Sequence, residues 1–164
     1  MPKVEPLSAT EEALWRATMR VMRVLPRSLE ADLVRGAGLT SSEYCIIMSL
    51  SEAPNRELRM TDLANAAWLS ASRTTRLVDE LQTRGWVTKV ASSSDARGNV
   101  ARLTPRGMAK LKAAWTVHLE STRRRFFDHV DEKDLCRLAQ AMSAVAANLD
   151  DSSDAVTKDA RQTG

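Results

Sequence analysis

A mainly α-helical fold with one small β-hairpin is what this sequence predicts, and three observations carry the prediction. Apolar residues recur at three- and four-residue spacing through most of the 164-residue chain. Two short strand-like runs, 86–90 and 99–103, flank the polar stretch 91–98. Hydroxyl caps, prolines and glycines punctuate the helical segments at the places where helices start and stop.

Residues 1–8 contain two prolines and read as a frayed lead-in. A helix follows over 11–35, with Leu14, Val21, Met22, Leu25 and Leu29 on one face. Pro26 is expected to kink or split it, and Gly36 and Gly38 to end it. Thr40 and Glu43 have capping-box spacing and open a helix through Ser51, with Tyr44, Ile47, Met48 and Leu50 as its dense apolar face. Pro54-Asn55 breaks that helix, and Thr61 is placed to cap a short one over 62–67. Ser70 caps the next, 71–84. Its inner stripe is Ala71, Thr74, Leu77, Val78 and Leu81, and Ser72, Arg76, Asp79 and Thr83 lie opposite. After Gly85 come the two strands. Thr104 then caps a helix with Pro105 at its first position, predicted to run to His129. Asp131 opens the last, striped by Leu135, Leu138, Met142, Val145 and Leu149, and the tail from Asp150 reads as disordered.

A short helix, a turn, a second helix and then a basic hairpin suit a grip on duplex DNA. One helix enters the major groove, and an arginine on the hairpin reaches the neighbouring minor groove. Charge supports this by its placement. The whole chain is only +3, yet 56–106 holds nine bases against five acids, which leaves the remainder slightly negative. The first turns of the 71–84 helix present small hydroxyls and arginines, side chains able to meet base edges and phosphates.

Other classes of function find little support. No uncharged apolar run approaches the ~18–20 residues that cross a bilayer, and the first residues lack the apolar core of a secretion signal, so a cytoplasmic protein without membrane contact is expected. Cys45 and Cys136 form no metal-ligand cluster, and Cys45, among Tyr44, Ile46 and Ile47, reads as a small buried hydrophobe. His118 and His129 have no nucleophile nearby. With no paired carboxylates or phosphate loop either, an enzyme ranks low and no cofactor is expected.

The segment Asp95-Ala-Arg-Gly-Asn-Val-Ala-Arg-Leu-Thr-Pro-Arg-Gly107, following Leu77-Val-Asp-Glu-Leu81 and Gly85-Trp-Val87, resembles the MarR family of bacterial transcriptional regulators. Asp95, Arg97, Leu103, Thr104 and Gly107 meet the family pattern Asp-x-Arg, then Leu-Thr-x-x-Gly, and the similarity spans about 10–150. It implies a winged helix-turn-helix with a DNA-binding lobe over about 40–106 and a helical dimerisation lobe from about 10–36 and 105–150. The segments 1–9 and 151–164 would lie outside as disordered ends. The implied partners are a second copy of the chain and double-stranded DNA with a pseudo-palindromic operator. By the same resemblance Arg97 is the wing arginine and Asp95 the carboxylate that steadies it, with Ser70, Ser72, Arg73, Thr75 and Arg76 as recognition-helix contacts. Arg102 and Arg106 are either backbone contacts or merely solvated. The family also implies a small aromatic or phenolic effector, for which Trp15, Tyr44, Met48, Trp115 and His118 are candidate pocket residues; each is also explained by ordinary core packing. The implied activity is operator-binding repression relieved by the effector. The alternatives are a winged-helix protein-interaction module without DNA binding and an activator without effector.

Overall fold

The first helix, α1 (Ala9–Ala37), begins earlier than its apolar pattern because Ser8 and Glu11 form a capping box: the serine hydroxyl accepts from the Glu11 N–H, and the Glu11 carboxylate accepts from the Ser8 N–H. A computed structural model describes residues 5–91 and 99–162 of the chain. In it α1 runs unbroken through Pro26, so the proline does not split the helix. The proline removes one N–H bond toward Met22, and Met22 is exposed, so water can satisfy the released carbonyl. Gly36 stays inside the helix, and Gly38 at φ 60° caps its end in the left-handed region.

The chain divides into two compact units, Met1–Thr122 and Arg123–Gly164. In the first, α2 (Ser41–Glu52) opens on the expected Thr40–Glu43 capping box. A single 3₁₀ turn, Pro54–Arg56, leads into a strand that the sequence did not reveal, β1 (Glu57–Arg59). Then come α3 (Met60–Ala66), α4 (Ala71–Thr83), β2 (Val87–Ala91), β3 (Asn99–Leu103) and α5 (Pro105–Arg125). The sheet is therefore three-stranded and antiparallel in the order β1-β3-β2, with Leu58 opposite Ala101 and Lys89 on the other side of that residue. Three residues are too few to register as a strand by alternation. Pairing with β3 and an Arg102–Glu57 ion pair at 2.5 Å hold β1 in place. Helix α3 also starts earlier than expected: Arg59 occupies the cap position without a side-chain cap bond, and Thr61 lies inside the helix.

One core joins these elements. Leu33 of α1, Leu39 of the following turn, Ile46, Ile47 and Leu50 of α2, Leu63 of α3, Val78 and Leu81 of α4, Val87 of β2, Ala101 of β3 and Ala114 of α5 are all buried in a single cluster. Two polar contacts border it, the first fully buried and the second between buried Glu43 and exposed Arg84. Ser121 donates to Asp32 at 2.6 Å, tying α5 to α1. Glu43 pairs with Arg84 at 3.0 Å, tying the start of α2 to the end of α4. Cys45 departs from expectation. It sits on the open side of α2, because Tyr44, Ile46 and Ile47 take the inward positions, although neighbouring protein still raises its thiol pKa by desolvation.

The second unit holds the end of α5, a 3₁₀ turn at Phe127–His129 and α6 (Glu132–Gln162). Helix α5 stops at Arg125, short of the predicted His129. Phe126 leaves helical geometry and its ring meets that of Phe127 edge-on, with centroids 5.2 Å apart. The backbone of α6 runs on through 151–162, where a disordered tail was expected; no proline or glycine interrupts that stretch before Gly164. Leu14, Trp15, Val21 and Met22 on α1, and Met142, Val145 and Leu149 on α6, are exposed in the single chain. No helix among the described residues is long and apolar enough to cross a membrane, and no cluster of metal-ligating side chains occurs among them.

Candidate nucleic-acid interface

Helix α4 is set by its two faces. Thr74, Leu77, Val78 and Leu81 are buried in the core, whereas Ser72, Arg73, Thr75, Arg76, Asp79 and Thr83 are exposed. Ala71, expected on the inner stripe, is exposed, since the first turn projects beyond the core. Ser70 is the N-cap, its hydroxyl accepting from the Arg73 N–H at 3.4 Å and standing 3.4 Å from the Ser72 hydroxyl. The Thr75 hydroxyl donates back to the Ala71 carbonyl at 3.0 Å, which leaves its oxygen able to accept. Five of the seven anticipated contact residues (Ser70, Ser72, Arg73, Thr75 and Arg76) thus form one exposed polar ridge. From Leu63 to Val78 the chain carries Arg73 and Arg76 and no acid, so the ridge is electropositive over its first two turns. The other two, Asp95 and Arg97, lie outside the described residues.

Neighbouring elements anchor the ridge and add groups that spacing alone had not indicated. Arg73 donates to Ser42 Oγ at 3.0 Å, which joins the start of α2 to the start of α4. Arg76 lies 3.9 Å from Glu80, an exposed contact that leaves the guanidinium free to re-pair. Lys89 of β2 is paired with Asp79, and Arg102 with Glu57, so these two cations are already engaged within the sheet region. Arg84 and Lys110 lie over the ring of Trp86, at 5.2 and 5.0 Å from its centre, and lock the exit of α4. The turn from β3 into α5 is locked as well. Thr104 donates its hydroxyl to the Gly85 carbonyl at 2.8 Å and accepts from the Gly107 N–H at 3.0 Å.

Two of the five candidate pocket residues, Met48 and Trp115, line one cleft elsewhere in the first unit, and ring contacts link Trp115 to His118 and His118 to Tyr44. A cleft of about 450 Å³ is lined by Met48, Ser51, Glu52, Leu111, Lys112 and Trp115. The Trp115 ring lies 6.4 Å from that of His118, and His118 lies 4.9 Å from Tyr44. Tyr44 is 4% exposed, yet neither its hydroxyl nor His118 Nδ1 finds a hydrogen-bond partner among the described residues. Trp15, Tyr44 and His118 do not line this cleft, and Trp15 is exposed on α1. Ser51, Glu52, Leu111 and Lys112 were missed, because nothing in the sequence pattern marks which flanks of α2 and α5 face each other.

Burial shifts both orphaned groups toward neutrality. Desolvation lowers the His118 pKa, and desolvation, with Cys45 and Glu52 nearby, pushes the Tyr44 phenol up to about 12. The folded phenol keeps its proton above the point where an unfolded one loses it, so this group's contribution to stability is lost as pH climbs from about 10 to about 12. Tyr44 is the single tyrosine of the chain, so phenolate absorbance near 295 nm reports it alone. At about pH 11 the native protein is expected to show little phenolate and the guanidinium-unfolded protein mostly phenolate. Equal signals in the two states would contradict the burial.

Comparisons with known proteins agree with this architecture. A model of the MarR family matches residues 37–98. The chain superposes on Sco3205 of Streptomyces coelicolor, a MarR family transcriptional regulator solved in complex with DNA, with a TM-score of 0.81 and 32% identity, covering 91% of this chain and 93% of that one. It superposes on AbsC, a MarR family regulator of the same organism, with a TM-score of 0.79 and 34% identity, covering 89% and 98%. The transcriptional repressor MprA of Escherichia coli K12 is 24% identical over 119 residues, 66% of this chain and 67% of that protein. With the helix-turn-helix, the three-stranded sheet and the Leu103-Thr104-x-x-Gly107 turn in place, the chain belongs to the MarR family of transcriptional regulators.

Proposed function

We propose that this chain is an operator-binding repressor that acts as a homodimer and releases DNA when a small aromatic effector binds. The observation that carries the DNA-binding reading is the polar, acid-free first half of α4, exposed along Ser70, Ser72, Arg73, Thr75 and Arg76 while its opposite face is part of the core. Such a ridge fits a major groove, where arginine and hydroxyl side chains read base edges and grip phosphates. The DNA-bound state of Sco3205 and the repressor role of MprA support the same reading. The exposed apolar residues of α1, and separately those of α6, each offer a second copy an apolar face to cover. Two-fold symmetry would set two α4 helices about 34–36 Å apart, one turn of DNA, and so require a pseudo-palindromic site.

The effector we assign to the cleft is an aromatic carboxylate or phenol. The ring would stack with Trp115 and Met48, and the acidic group would pair with Lys112. The ligand favours release by the difference in its affinity for the two spacings of the reading helices. An electrophoretic shift titration on the intergenic DNA upstream of the protein's own gene tests this. Retardation at low salt, reversed by an aromatic acid that also raises the melting temperature, is the expected result. Absence of retardation, beside a control regulator that shifts its own operator, counts against DNA binding. Retardation that no aromatic acid reverses counts against the effector alone.

A further inference from the structure

We propose that Trp68, in the turn between α3 and α4, is a DNA-backbone contact that clamps the duplex beside the reading helix; this rests on the DNA-binding function proposed above. Two independent observations single it out. Trp68 is 84% exposed, and from Leu39 to Leu103 it is the one exposed large hydrophobic side chain among the described residues. The others lie at Leu7, on α1, on α5 or beyond it, outside the reading lobe. In addition, Trp68 holds a left-handed backbone at φ 55°, a conformation that a bulky side chain adopts only against strain and that glycine or asparagine takes readily.

The turn fixes this backbone from both sides. The Ala67 N–H bonds to the Leu63 carbonyl at 2.9 Å, the Trp68 N–H to Asn65 at 3.1 Å and the Leu69 N–H to Ala64 at 2.9 Å. Leu69 is half-buried and packs on the core, so the turn is pinned and its apex side chain must project outward. A tryptophan there, at a cost in strain and exposed apolar area, has no intramolecular return among the described residues. Its surroundings suit a polyanion: Trp68 stands two residues before the Ser70 cap, in a run from Leu63 to Val78 without an acid. An indole offers a flat apolar face for deoxyribose and one N–H for a phosphate oxygen, and it carries no charge. It grips without reading sequence, so its loss weakens operator and non-operator DNA alike.

The test uses the full-length protein, Trp68→Asn and Trp68→Phe, with a fluorescently labelled mixed-sequence duplex of about 30 base pairs, titrated over a range of salt. Trp68→Asn is expected to melt about 2 °C or more above the parent, because asparagine accepts the left-handed turn. It should also bind about tenfold more weakly at every salt concentration. The slope of log affinity against log salt should stay unchanged, because a neutral side chain releases no counterion; loss of an arginine contact would lower it. Trp68→Phe keeps the strain and the ring but not the N–H, and should fall between the two. The parent-minus-Phe emission spectrum isolates the indole and should shift on saturation with duplex.

Parental affinity in both variants, or a difference spectrum that saturating duplex leaves unmoved, would overturn the proposal. So would a changed salt slope. Failure of the parent itself to bind, beside a control regulator that does, would instead fall on the DNA-binding function and take the proposal with it.

Discussion

Gly107→Ala is expected to destabilise the fold by at least about 3 kcal/mol, lowering the melting temperature by roughly 6–12 °C. A Cβ at this position would stand 2.1 Å from the Trp86 carbonyl oxygen and 2.6 Å from Leu103 Cδ1. The first of these is backbone and cannot rotate away. It is also engaged, since the Trp86 carbonyl accepts from both the Thr104 N–H at 3.0 Å and the Thr104 hydroxyl at 3.1 Å. Relieving the clash therefore means pulling α5 off β2 and giving up the cap that starts α5. Thr104→Ser keeps the hydroxyl and should cost little, which separates the close approach at Gly107 from a general sensitivity of the turn. Circular dichroism melts of the two variants make the measurement. A Gly107→Ala protein that melts within about 2 °C of the parent would show that α5 does not pass so near the Trp86 carbonyl.

Arg97→Ala is expected to weaken DNA binding by about thirtyfold or more while leaving the melting temperature unchanged. The resemblance implies that this arginine is the wing contact, and a specific arginine contact is worth about 1–3 kcal/mol per site. A two-fold dimer makes the contact twice, so the losses add. Each lost contact also lowers the salt slope by about 1, or about 2 for the dimer. Fluorescence anisotropy with the upstream intergenic DNA, repeated across salt, reads both quantities. Unchanged affinity and slope in Arg97→Ala would favour a winged-helix module that has kept the shape and lost the nucleic acid. The contrast with Trp68 is informative, because one substitution changes the slope and the other only its height.

Residues that act through local backbone geometry were legible before any coordinates. Thr40 with Glu43, Ser70, and Thr104 with Pro105 and Gly107 announce helix starts, because capping is an interaction between residues three apart. The inner and outer faces of α4 were legible for a similar reason: one helical period sorts Leu77, Val78 and Leu81 from Ser72 and Arg76. Where local signals were weak, the reading erred. Strand β1 has three residues and exists through its pairing with Val100, Ala101 and Arg102, more than forty positions away in sequence. Pro26 looked like an interruption, yet the loss of one hydrogen bond at an exposed turn is small beside the packing of Leu33 and Ala37 further along the same helix. Cys45 resembled its apolar neighbours in type but differs from them in the direction it faces.

What the sequence determined by itself is the list of elements, their caps and the chemistry of the reading helix, since all of these follow from interactions within about four positions along the chain. The tertiary structure alone decided which flanks meet. It placed Met48, Ser51 and Glu52 of α2 across a cleft from Leu111, Lys112 and Trp115 of α5, and it left Trp15 outside. It buried the Tyr44 hydroxyl without a partner among the described residues, set Arg84 against Glu43, and brought the Trp86 carbonyl so close to α5 that only glycine fits. The reason is that close packing couples residues dozens of positions apart through shape, and shape is a property of the assembled core that no local period encodes.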